Sequence, residues 1–251
     1  DGPCVVGLIG GAAFDMTPMC GTMSRWMEAE APAACIRKRG VPMAFDLDAL
    51  LANSAHDARD PAKPYLLAPI DLQAVKAAGV TYVRSMLERV IEERCRGDAS
   101  LAAAVRVEVR DIIGDDLAAL VPGSAEAMRV KAALVEKGWW SQYLEVGIGP
   151  DAEIFTKCPP MAAVGIGSKV GVHPNSQWSN PEPEAVMVVN SRGIIQGATL
   201  GNDVNLRDVE GRSALLLGRA KDNNASAALG PMIRLFDEAF TLEDMRQAEI
   251  T

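Results

Sequence analysis

The sequence predicts an α+β protein, and three observations lead to that class. From residue 153 onward, short apolar runs alternate with turn residues, as in E-I-F-T-K, A-V-M-V-V-N and G-I-I-Q-G-A-T-L-G, which is typical of strands. Between residues 97 and 146, apolar side chains recur at helical spacing. The polar, proline-containing stretch 54–64 is typical of a linker and predicts a small N-terminal domain over residues 1–62.

The N-terminal domain is predicted to combine short strands with two helices. Residues 4–9 and the segment around Phe14 have the apolar character of strands. Residues 23–30 are weakly helical, and residues 46–53 form a second helix. Residues 63–251 then form a larger domain that carries the candidate catalytic residues.

The larger domain is predicted to begin with a strand and a helix. Y-L-L-A-P-I at 65–70 is a short apolar run, and residues 85–95 carry an apolar stripe at helical spacing. The run V-G-I-G-S-K-V-G-V at 164–172 is also predicted as strand. A further helical stripe consists of Leu101, Ala104, Val105, Val109 and Ile112.

A helical insertion is predicted over about residues 97–146. Ser124 is a favourable N-cap for a helix that runs to Val135, because its hydroxyl can accept a hydrogen bond from the first turn. Trp139 and Trp140 follow, and large aromatic side chains mostly bury area. We therefore expect them to anchor packing rather than to hold a ligand.

The composition limits the possible partners. The chain has 251 residues, of which 49% are apolar, and a formal net charge of −8 with a pI near 4.9. Nucleic acids and anionic membranes normally require a basic face, so neither is expected as a partner. A small anionic substrate would require local positive charge, which a metal ion or a buried lysine could supply.

The cysteine pattern and the lack of a targeting segment indicate the compartment. The five cysteines are Cys4, Cys20, Cys35, Cys95 and Cys158. They form no C-x-x-C pair, so reduced thiols in a cytoplasm are predicted. Neither a signal sequence nor an apolar run of about 18 residues is seen, so no membrane span is predicted. Because Asp1 does not resemble a native initiator, the chain is expected to be part of a longer one.

Three carboxylates are predicted to share one space. Glu182 and Glu184 stand at the start of the apolar run N-P-E-P-E-A-V-M-V-V-N, and side chains two apart on a strand point to the same face. Their repulsion favours a bound cation or a retained proton, although E-x-E at a solvated strand edge is common. N-S-R-G at 190–193 predicts a hairpin, and the returning strand ends in G-N-D, so Asp203 can face the two glutamates.

This carboxylate set predicts a site for a hard divalent cation. Three carboxylate oxygens, completed by water or substrate oxygens, suit Mg²⁺ or Mn²⁺, and Ca²⁺ is a further candidate. Zinc is less favoured because the two histidines, His56 and His173, do not have ligand spacing. No organic cofactor is predicted, and His173 is assigned no catalytic role.

Several short segments follow one another in a specific order. They are E-I-F-T-K at 153–157, E-P-E at 182–184, G-A-T-L-G-N-D at 197–203 followed by V-N-L-R-D, then Lys221, and L-G-P at 229–231. This ordered set resembles the fumarylacetoacetate hydrolase family over about residues 64–238. The resemblance implies the family's mixed β-roll, often dimeric, so a homodimer or higher homo-oligomer is expected. The stretch E-G-R-S-A-L-L-L-G-R-A-K-D-N-N-A-S is most similar to the sugar-acid dehydratase branch.

The resemblance implies a role for each candidate residue. Glu182, Glu184 and Asp203 match the family's Mg²⁺-binding carboxylates. Lys221 matches the active-site lysine, which would assist proton removal from C3 or offset the charge of a substrate carboxylate. Glu153 matches the glutamate of the E-I-F-x-K segment and would carry a proton to the leaving hydroxyl. Alternatively, Lys221 is an exposed lysine at a helix end.

One segment departs from the hydrolytic members of the family. These members carry N-Y-x-x-H-x-x-E, whose His and Glu activate the attacking water. T-Y-V-R-S-M-L-E has Ser85 in place of the histidine and keeps Glu88, a further catalytic candidate. A serine hydroxyl cannot serve as a general base near neutral pH, so hydrolysis is disfavoured.

The resemblance therefore implies a metal-dependent dehydratase. Its substrate would be a small 2-oxo acid, a 2-keto-3-deoxy sugar acid such as 2-keto-3-deoxyxylonate, which loses water through a metal-stabilised enolate to give 2-oxoglutarate semialdehyde. Two alternatives stay open: an acylpyruvate hydrolase or oxaloacetate decarboxylase, and a non-catalytic protein that binds a divalent metal or a sugar acid. Family members usually continue well past L-G-P, so the C-terminal part of the barrel is expected to be missing.

Overall fold

The computed structural model describes residues 2–79, 91, 95, 101–113, 120–140 and 142–248. The chain divides into two compact units, one that combines Asp1–Lys76 with Thr156–Thr251 and one that consists of Ala77–Phe155. The predicted domain boundary at residue 62 and the predicted insertion stay predictions. No helix in the described part of the chain is long and apolar enough to cross a lipid bilayer.

An antiparallel three-stranded sheet opens the first unit. Its strands, in spatial order, are β1 (Val6–Ile9), β2 (Ala12–Asp15) and β3 (Val41–Met43). The loop between β1 and β2 is Gly10-Gly11, with φ angles of 58° and 78°. Two positive φ angles suit the twist of a two-residue hairpin, and glycine adopts them at no steric cost. The strands predicted at 4–9 and around Phe14 are confirmed.

Four helices accompany this sheet. They are α1 (Thr17–Cys20), α2 (Met23–Met27), α3 (Pro32–Arg39) and α4 (Leu47–Ser54). The helices predicted for 23–30 and 46–53 are thus confirmed, although the first ends earlier. The Asp46 carboxylate caps α4 by accepting a hydrogen bond of 2.9 Å from the Ala49 N–H, which explains where this helix begins.

Two predicted strands are wrong. Residues 65–70 form no strand, because Pro64 just before the run and Pro69 within it have no backbone N–H to donate. Of residues 164–172, only Val164 belongs to a strand, the short β6 (Ala163–Val164). Gly167 follows with a φ of 74°, which turns the chain. Strand β4 (Val75–Ala78) instead pairs with β5 (Ile154–Cys158).

A four-stranded sheet forms the centre of the first unit. Its spatial order is β6, β11 (Ala227–Leu235), β9 (Ile195–Asp203) and β8 (Pro183–Val189). The β8–β9 and β9–β11 pairs are antiparallel, whereas β11 and β6 are parallel. The Asn190 N–H donates to the Ile194 carbonyl over 2.9 Å and closes the connection from β8 to β9. The hairpin predicted at 190–193 is confirmed.

Short elements connect β9 to β11. They are β10 (Asn205–Leu206), which pairs with β7 (Ser179–Asn180), then α8 (Arg207–Glu210), a 3₁₀ turn (Ala214–Leu216) and α9 (Leu217–Lys221). The helical turns predicted to run to Lys221 are confirmed. A final helix, α10 (Leu242–Arg246), follows β11.

The core of the first unit joins its N-terminal part to the central sheet. Met16, Trp26 and Ile36 are buried in one cluster with Val188 of β8 and Leu235 of β11. Burying large apolar side chains is the main stabilising contribution in such a core. The N-terminal helices therefore pack against one face of the central sheet.

The second unit contains three described helices and its own core. They are α5 (Ala102–Ile113), α6 (Ala125–Glu136) and α7 (Gln142–Ile148). The Ser124 hydroxyl caps α6 by accepting a hydrogen bond of 3.1 Å from the Ala127 N–H, as predicted. Trp139 and Trp140 pack against the buried cluster around Leu134 and Leu144, so their predicted packing role is confirmed.

Candidate active site

The pairing of β8 with β9 brings the three predicted carboxylates together. Glu184 lies opposite Gly201, and the Asp203 N–H donates to the Glu182 carbonyl over 2.9 Å. Residues opposite each other on antiparallel strands point to the same face, as do residues two apart on one strand. The side chains of Glu182, Glu184 and Asp203 therefore lie on one face of the sheet.

Burial of β8 determines which face this is. Val188 lies four residues after Glu184 on β8, so its side chain points to the same face, and it is buried in the core of the first unit. A slip of one residue in register would move Val188 out of the core, so the register is strongly specified. Position 201, opposite Glu184, requires glycine, because a Cβ there would lie 2.6 Å from a Val186 methyl group.

Lys221 lies between two of the carboxylates. Its ammonium donates to Glu182 Oε2 over 2.5 Å and to Asp203 Oδ2 over 2.9 Å, and the residue is only 3% exposed. Burial alone would lower the pKa of Lys221, but Asp203 and Glu182 raise it above its ordinary value. The alternative of an exposed lysine at a helix end is wrong.

Lys157 is a second buried lysine in this cluster, and the sequence analysis missed it. Its ammonium donates to the backbone carbonyl of Lys221 and lies 3.4 Å from Asp203 Oδ1. Burial lowers the pKa of Lys157, and the nearby Asp203 carboxylate opposes that change. The alternation in E-I-F-T-K was the available signal, because period two places Lys157 with the half-buried Phe155 on the inward side of β5.

Asn205 is the second residue that sequence reasoning missed. It is completely buried, and its Nδ2 donates to Glu182 Oε1 over 2.9 Å and to Glu210 Oε2 over 2.6 Å. Arg207 Nη1 also contacts Glu210 Oε2, at 2.9 Å. The two oxygens of Glu182 are thus oriented by different donors, Oε1 by Asn205 and Oε2 by Lys221.

The donor set has the chemistry that a hard divalent cation prefers. Asp203 Oδ1 is buried and faces the Lys157 ammonium at 3.4 Å, so a cation would bind this oxygen in competition with that lysine. Burial, together with the charges of Asp203 and Glu182, raises the pKa of Glu184, as expected for crowded carboxylates. The residue types therefore fit Mg²⁺.

In the structure, the Lys221 ammonium bridges the carboxylates of Glu182 and Asp203. Among the described residues, no group of three or more His, Cys, Asp or Glu side chains is arranged to hold a metal ion. The Lys221 ammonium instead supplies the positive charge between Glu182 and Asp203. Binding of a cation here would therefore compete with or displace these ion pairs.

Glu153 and Glu88 are the other predicted site residues. Glu153 belongs to the second compact unit, where its backbone carbonyl accepts a hydrogen bond from the Gly79 N–H. Ser85 and Glu88 lie outside the described residues. The roles predicted for Glu153 and Glu88 stay predictions.

Replacing Glu184 with glutamine is expected to stabilise the metal-free protein at pH 7.5. The raised pKa means that the folded state disfavours the charged carboxylate, so stability falls as the pH rises above the ordinary pKa of about 4.3. Glutamine removes that charge, and we expect the Tm to rise by only about 1 °C, because Glu184 is exposed and water screens the repulsion. Differential scanning calorimetry with a chelator present measures it.

Glu238→Gln is the matched control, because Glu238 is also exposed but does not belong to the group of Glu182, Glu184 and Asp203. It should leave the Tm nearly unchanged. A Tm for Glu184→Gln at or below that of the unmodified protein would show that carboxylate crowding does not cost stability. With Mg²⁺ at millimolar concentration, the unmodified protein should gain more stability than Glu184→Gln, because it keeps all three carboxylates.

Replacing Asn205 with leucine is expected to destabilise the protein by about 2 to 3 kcal/mol. The change leaves a Glu182 oxygen without its buried donor and removes the link to Glu210. Urea denaturation followed by circular dichroism measures the free energy of unfolding. Asn224→Leu, at an exposed position, should change it by less than about 0.5 kcal/mol. Equal effects of the two changes would contradict the orienting role.

Fold and site together define an α+β protein with a carboxylate–lysine cluster on one sheet face, made of Glu182, Glu184, Asp203, Lys157 and Lys221, of which Asp203 and the two lysines are buried. The chain matches no family model. It is 41% identical over 86 residues to the 2-dehydro-3-deoxy-D-arabinonate dehydratase of Saccharolobus solfataricus, covering 34% of this chain and 29% of the relative. It is 34% identical over 143 residues to the "Probable 2-keto-3-deoxyxylonate dehydratase" of Haloferax volcanii, covering 52% of this chain and 49% of the relative.

Solved structures establish the fold. The apo form of 2-keto-3-deoxy-D-arabinonate dehydratase matches with a TM-score of 0.57 and 20% identity, over 92% of this chain and 61% of that chain. The same enzyme complexed with magnesium and 2,5-dioxopentanoate matches with a TM-score of 0.52. The predicted α+β class is confirmed.

The predicted resemblance to the sugar-acid dehydratases is also confirmed, because both curated relatives are named as such enzymes. The chain spans less than a third of the length of one of them and about half of the other.

Proposed function

We propose that this chain acts as a Mg²⁺-dependent dehydratase of a 2-keto-3-deoxy sugar acid. A pentonate such as 2-keto-3-deoxyxylonate would be the substrate and 2-oxoglutarate semialdehyde the product. The observation that carries the proposal is the buried Lys221 ammonium, bonded to two carboxylates on the sheet face that also carries Glu184. The names of the curated relatives support the same chemistry.

The cation would be held by Glu182, Glu184 and Asp203. When bound, it would supply Lewis-acid stabilisation for the negative charge that develops on a 2-oxo acid as it loses a proton. The magnesium complex of a related dehydratase supports Mg²⁺, and Mn²⁺ or Ca²⁺ could bind the same oxygen donors. Asn205 would keep one Glu182 oxygen oriented, so that the other stays directed at the cluster.

Lys221 would act on the substrate beside the carboxylates. It would assist removal of the C3 proton or offset the charge of the substrate carboxylate. Lys157 would position it, because the hydrogen bond from Lys157 to the Lys221 carbonyl holds the end of α9. The two buried lysines beside Asp203 offset much of the negative charge of the three carboxylates, and the cation would supply the net positive charge that an anionic substrate requires.

The remaining steps are assigned to Glu153 and Glu88. Glu153 would transfer a proton to the leaving C4 hydroxyl, so that water departs, and Glu88 would assist it. Ser85 stands where hydrolytic relatives carry a histidine, which favours dehydration over hydrolysis. We further propose the mixed β-roll of the fumarylacetoacetate hydrolase type, a small N-terminal domain and a homo-oligomer in the cytoplasm.

A substrate panel tests this function. The purified chain would be incubated with Mg²⁺ and either 2-keto-3-deoxy pentonates or hexonates, acylpyruvates or oxaloacetate, and products identified by mass spectrometry. We expect loss of one water from a 2-keto-3-deoxy acid. Faster cleavage of an acylpyruvate, or faster decarboxylation of oxaloacetate, would overturn the dehydratase proposal. Binding of a sugar acid without turnover would support a non-catalytic binding protein.

A further inference from the structure

A cavity of about 260 Å³ lies apart from the carboxylate–lysine cluster. Its floor is formed by Leu206, Val209 and Leu216, and its rim includes His173, Arg212 and Arg219. Leu206 follows Asn205 on β10, and neighbouring side chains on a strand point to opposite faces. Since Asn205 contacts the cluster and Leu206 the cavity, the two sites lie on opposite sides of β10.

The floor of the cavity is apolar and firmly packed. Leu206 and Val209 are buried and form a small core with Ala220, against which Leu216 packs. A rigid apolar floor favours contact with hydrocarbon over contact with water. The volume is below the roughly 300 to 1,000 Å³ of sites for drug-sized ligands, so the ligand would contain only a few carbons.

Asp208 links two segments that contribute to the cavity, residues 173–177 and α8. Its carboxylate accepts hydrogen bonds from the Ser176 hydroxyl over 2.6 Å and from the Gln177 N–H over 3.0 Å. Arg212 Nε donates to the Asp208 carbonyl over 3.0 Å, and an Arg212 Nη lies 3.7 Å from the carboxylate. The two contacts with Asp208 orient the Arg212 guanidinium, although the side chain is 60% exposed.

The rim offers hydrogen-bond donors. His173 Nδ1 accepts a hydrogen bond of 3.2 Å from the Asn175 N–H, so in the neutral ring the proton is on Nε2. The Arg219 side chain makes no ion pair within the described part of the chain, and it adds a second guanidinium. Among the described residues, neither Asp nor Glu lines the cavity. With two guanidinium groups against the one nearby Asp208 carboxylate, the rim carries net positive charge in a chain whose formal net charge is −8.

We propose that this cavity binds a short-chain organic carboxylate. Its carboxylate would accept hydrogen bonds from Arg212 and Arg219, which match planar oxyanions with paired donors. Its hydrocarbon chain would lie on the apolar floor of Leu206, Val209 and Leu216. The site is independent of the proposed dehydratase reaction, because its lining includes none of the three carboxylates or Lys221.

Titration with sodium butyrate, followed by saturation-transfer NMR, tests the proposal. We expect butyrate to bind more tightly than acetate or inorganic phosphate, because only butyrate also covers the apolar floor. Arg219→Met should weaken butyrate binding at least tenfold. The control Arg246→Met removes an exposed arginine of α10 that pairs with Glu243, and it should bind as the unmodified protein does.

Three results would overturn the proposal. The first is equal butyrate affinity in Arg219→Met and Arg246→Met. The second is tighter binding of phosphate than of butyrate, which would show that the apolar floor contributes nothing. The third is loss of butyrate binding in Glu182→Gln, which would place the ligand at the carboxylate–lysine cluster. Thermal unfolding of each variant without ligand confirms that it is folded; if Arg219→Met is not, Arg219→Gln replaces it.

Discussion

Replacing Lys221 with methionine is expected to lower the rate of sugar-acid dehydration by about 10²- to 10⁴-fold. The change removes the ammonium that is bonded to Glu182 and Asp203 and that would act on the substrate beside them. Methionine keeps an unbranched chain of similar length, so the loss is of charge and hydrogen bonding rather than of volume. Semialdehyde formation at saturating substrate and Mg²⁺ measures the rate.

A control and a stability measurement make this result interpretable. Lys169→Met removes an exposed lysine that pairs with the exposed Asp57, and it should keep full activity. Loss of one partner from a buried ion pair costs about 3 to 5 kcal/mol, so circular dichroism must show that Lys221→Met is folded at the assay temperature. A folded variant with more than about a tenth of the original rate would contradict the assigned role.

The proposed mechanism also predicts that borohydride will not trap a covalent adduct between Lys221 and the substrate. An amine that only transfers a proton or offsets charge forms no covalent bond with the 2-oxo group. Treatment with substrate and borohydride should therefore leave the mass of the protein unchanged. A stable adduct on Lys221 would instead show imine chemistry and would overturn the proposed mechanism.

Removing divalent cations is expected to abolish activity, and Mg²⁺ or Mn²⁺ should restore it. Three clustered carboxylates are costly without positive charge, and the proposed reaction depends on a cation to stabilise negative charge on the substrate. Asp203→Asn should raise the Mg²⁺ concentration for half-maximal activity by at least tenfold, because it removes one charged ligand. Isothermal titration with Mn²⁺ gives the affinity directly, without turnover.

Asp48→Asn serves as the control for this prediction, because Asp48 is exposed on α4. It should bind Mn²⁺ as the unmodified protein does. Full activity after exhaustive treatment with chelator would overturn the cation requirement. Unchanged Mn²⁺ affinity in Asp203→Asn would show that the cation, if required, binds elsewhere.

Local sequence patterns predicted much of the fold. Apolar periodicity and capping residues located α4, α6, β1, β2 and the β8–β9 hairpin, because these elements depend on neighbouring residues. The two failures, at 65–70 and 164–172, are apolar runs whose prolines or glycines interrupt strand pairing. An apolar run alone does not distinguish a strand from a packed loop.

Local patterns also predicted the carboxylates but not their partners. Glu182 and Glu184 share a face because they are two apart on a strand, and the following hairpin returned Asp203 opposite them. Strand alternation could have placed Lys157 on the inward side of β5, but no local pattern indicated which groups Lys157 or Asn205 would contact. The Lys157 ammonium reaches the carbonyl of a residue 64 positions away, and Asn205 reaches Glu182 across 23 positions.

The sequence by itself determined the type of chemistry at this site: three oxygen donors on one sheet face and a lysine that follows them in a helical turn. Only the tertiary structure decided that Lys221 is buried between Glu182 and Asp203, that Lys157 holds its backbone, and that Asn205 orients Glu182. The physical reason is that strand periodicity is a local property of the backbone. Burial and ion pairing depend on how β5, β10 and α9 pack against the sheet.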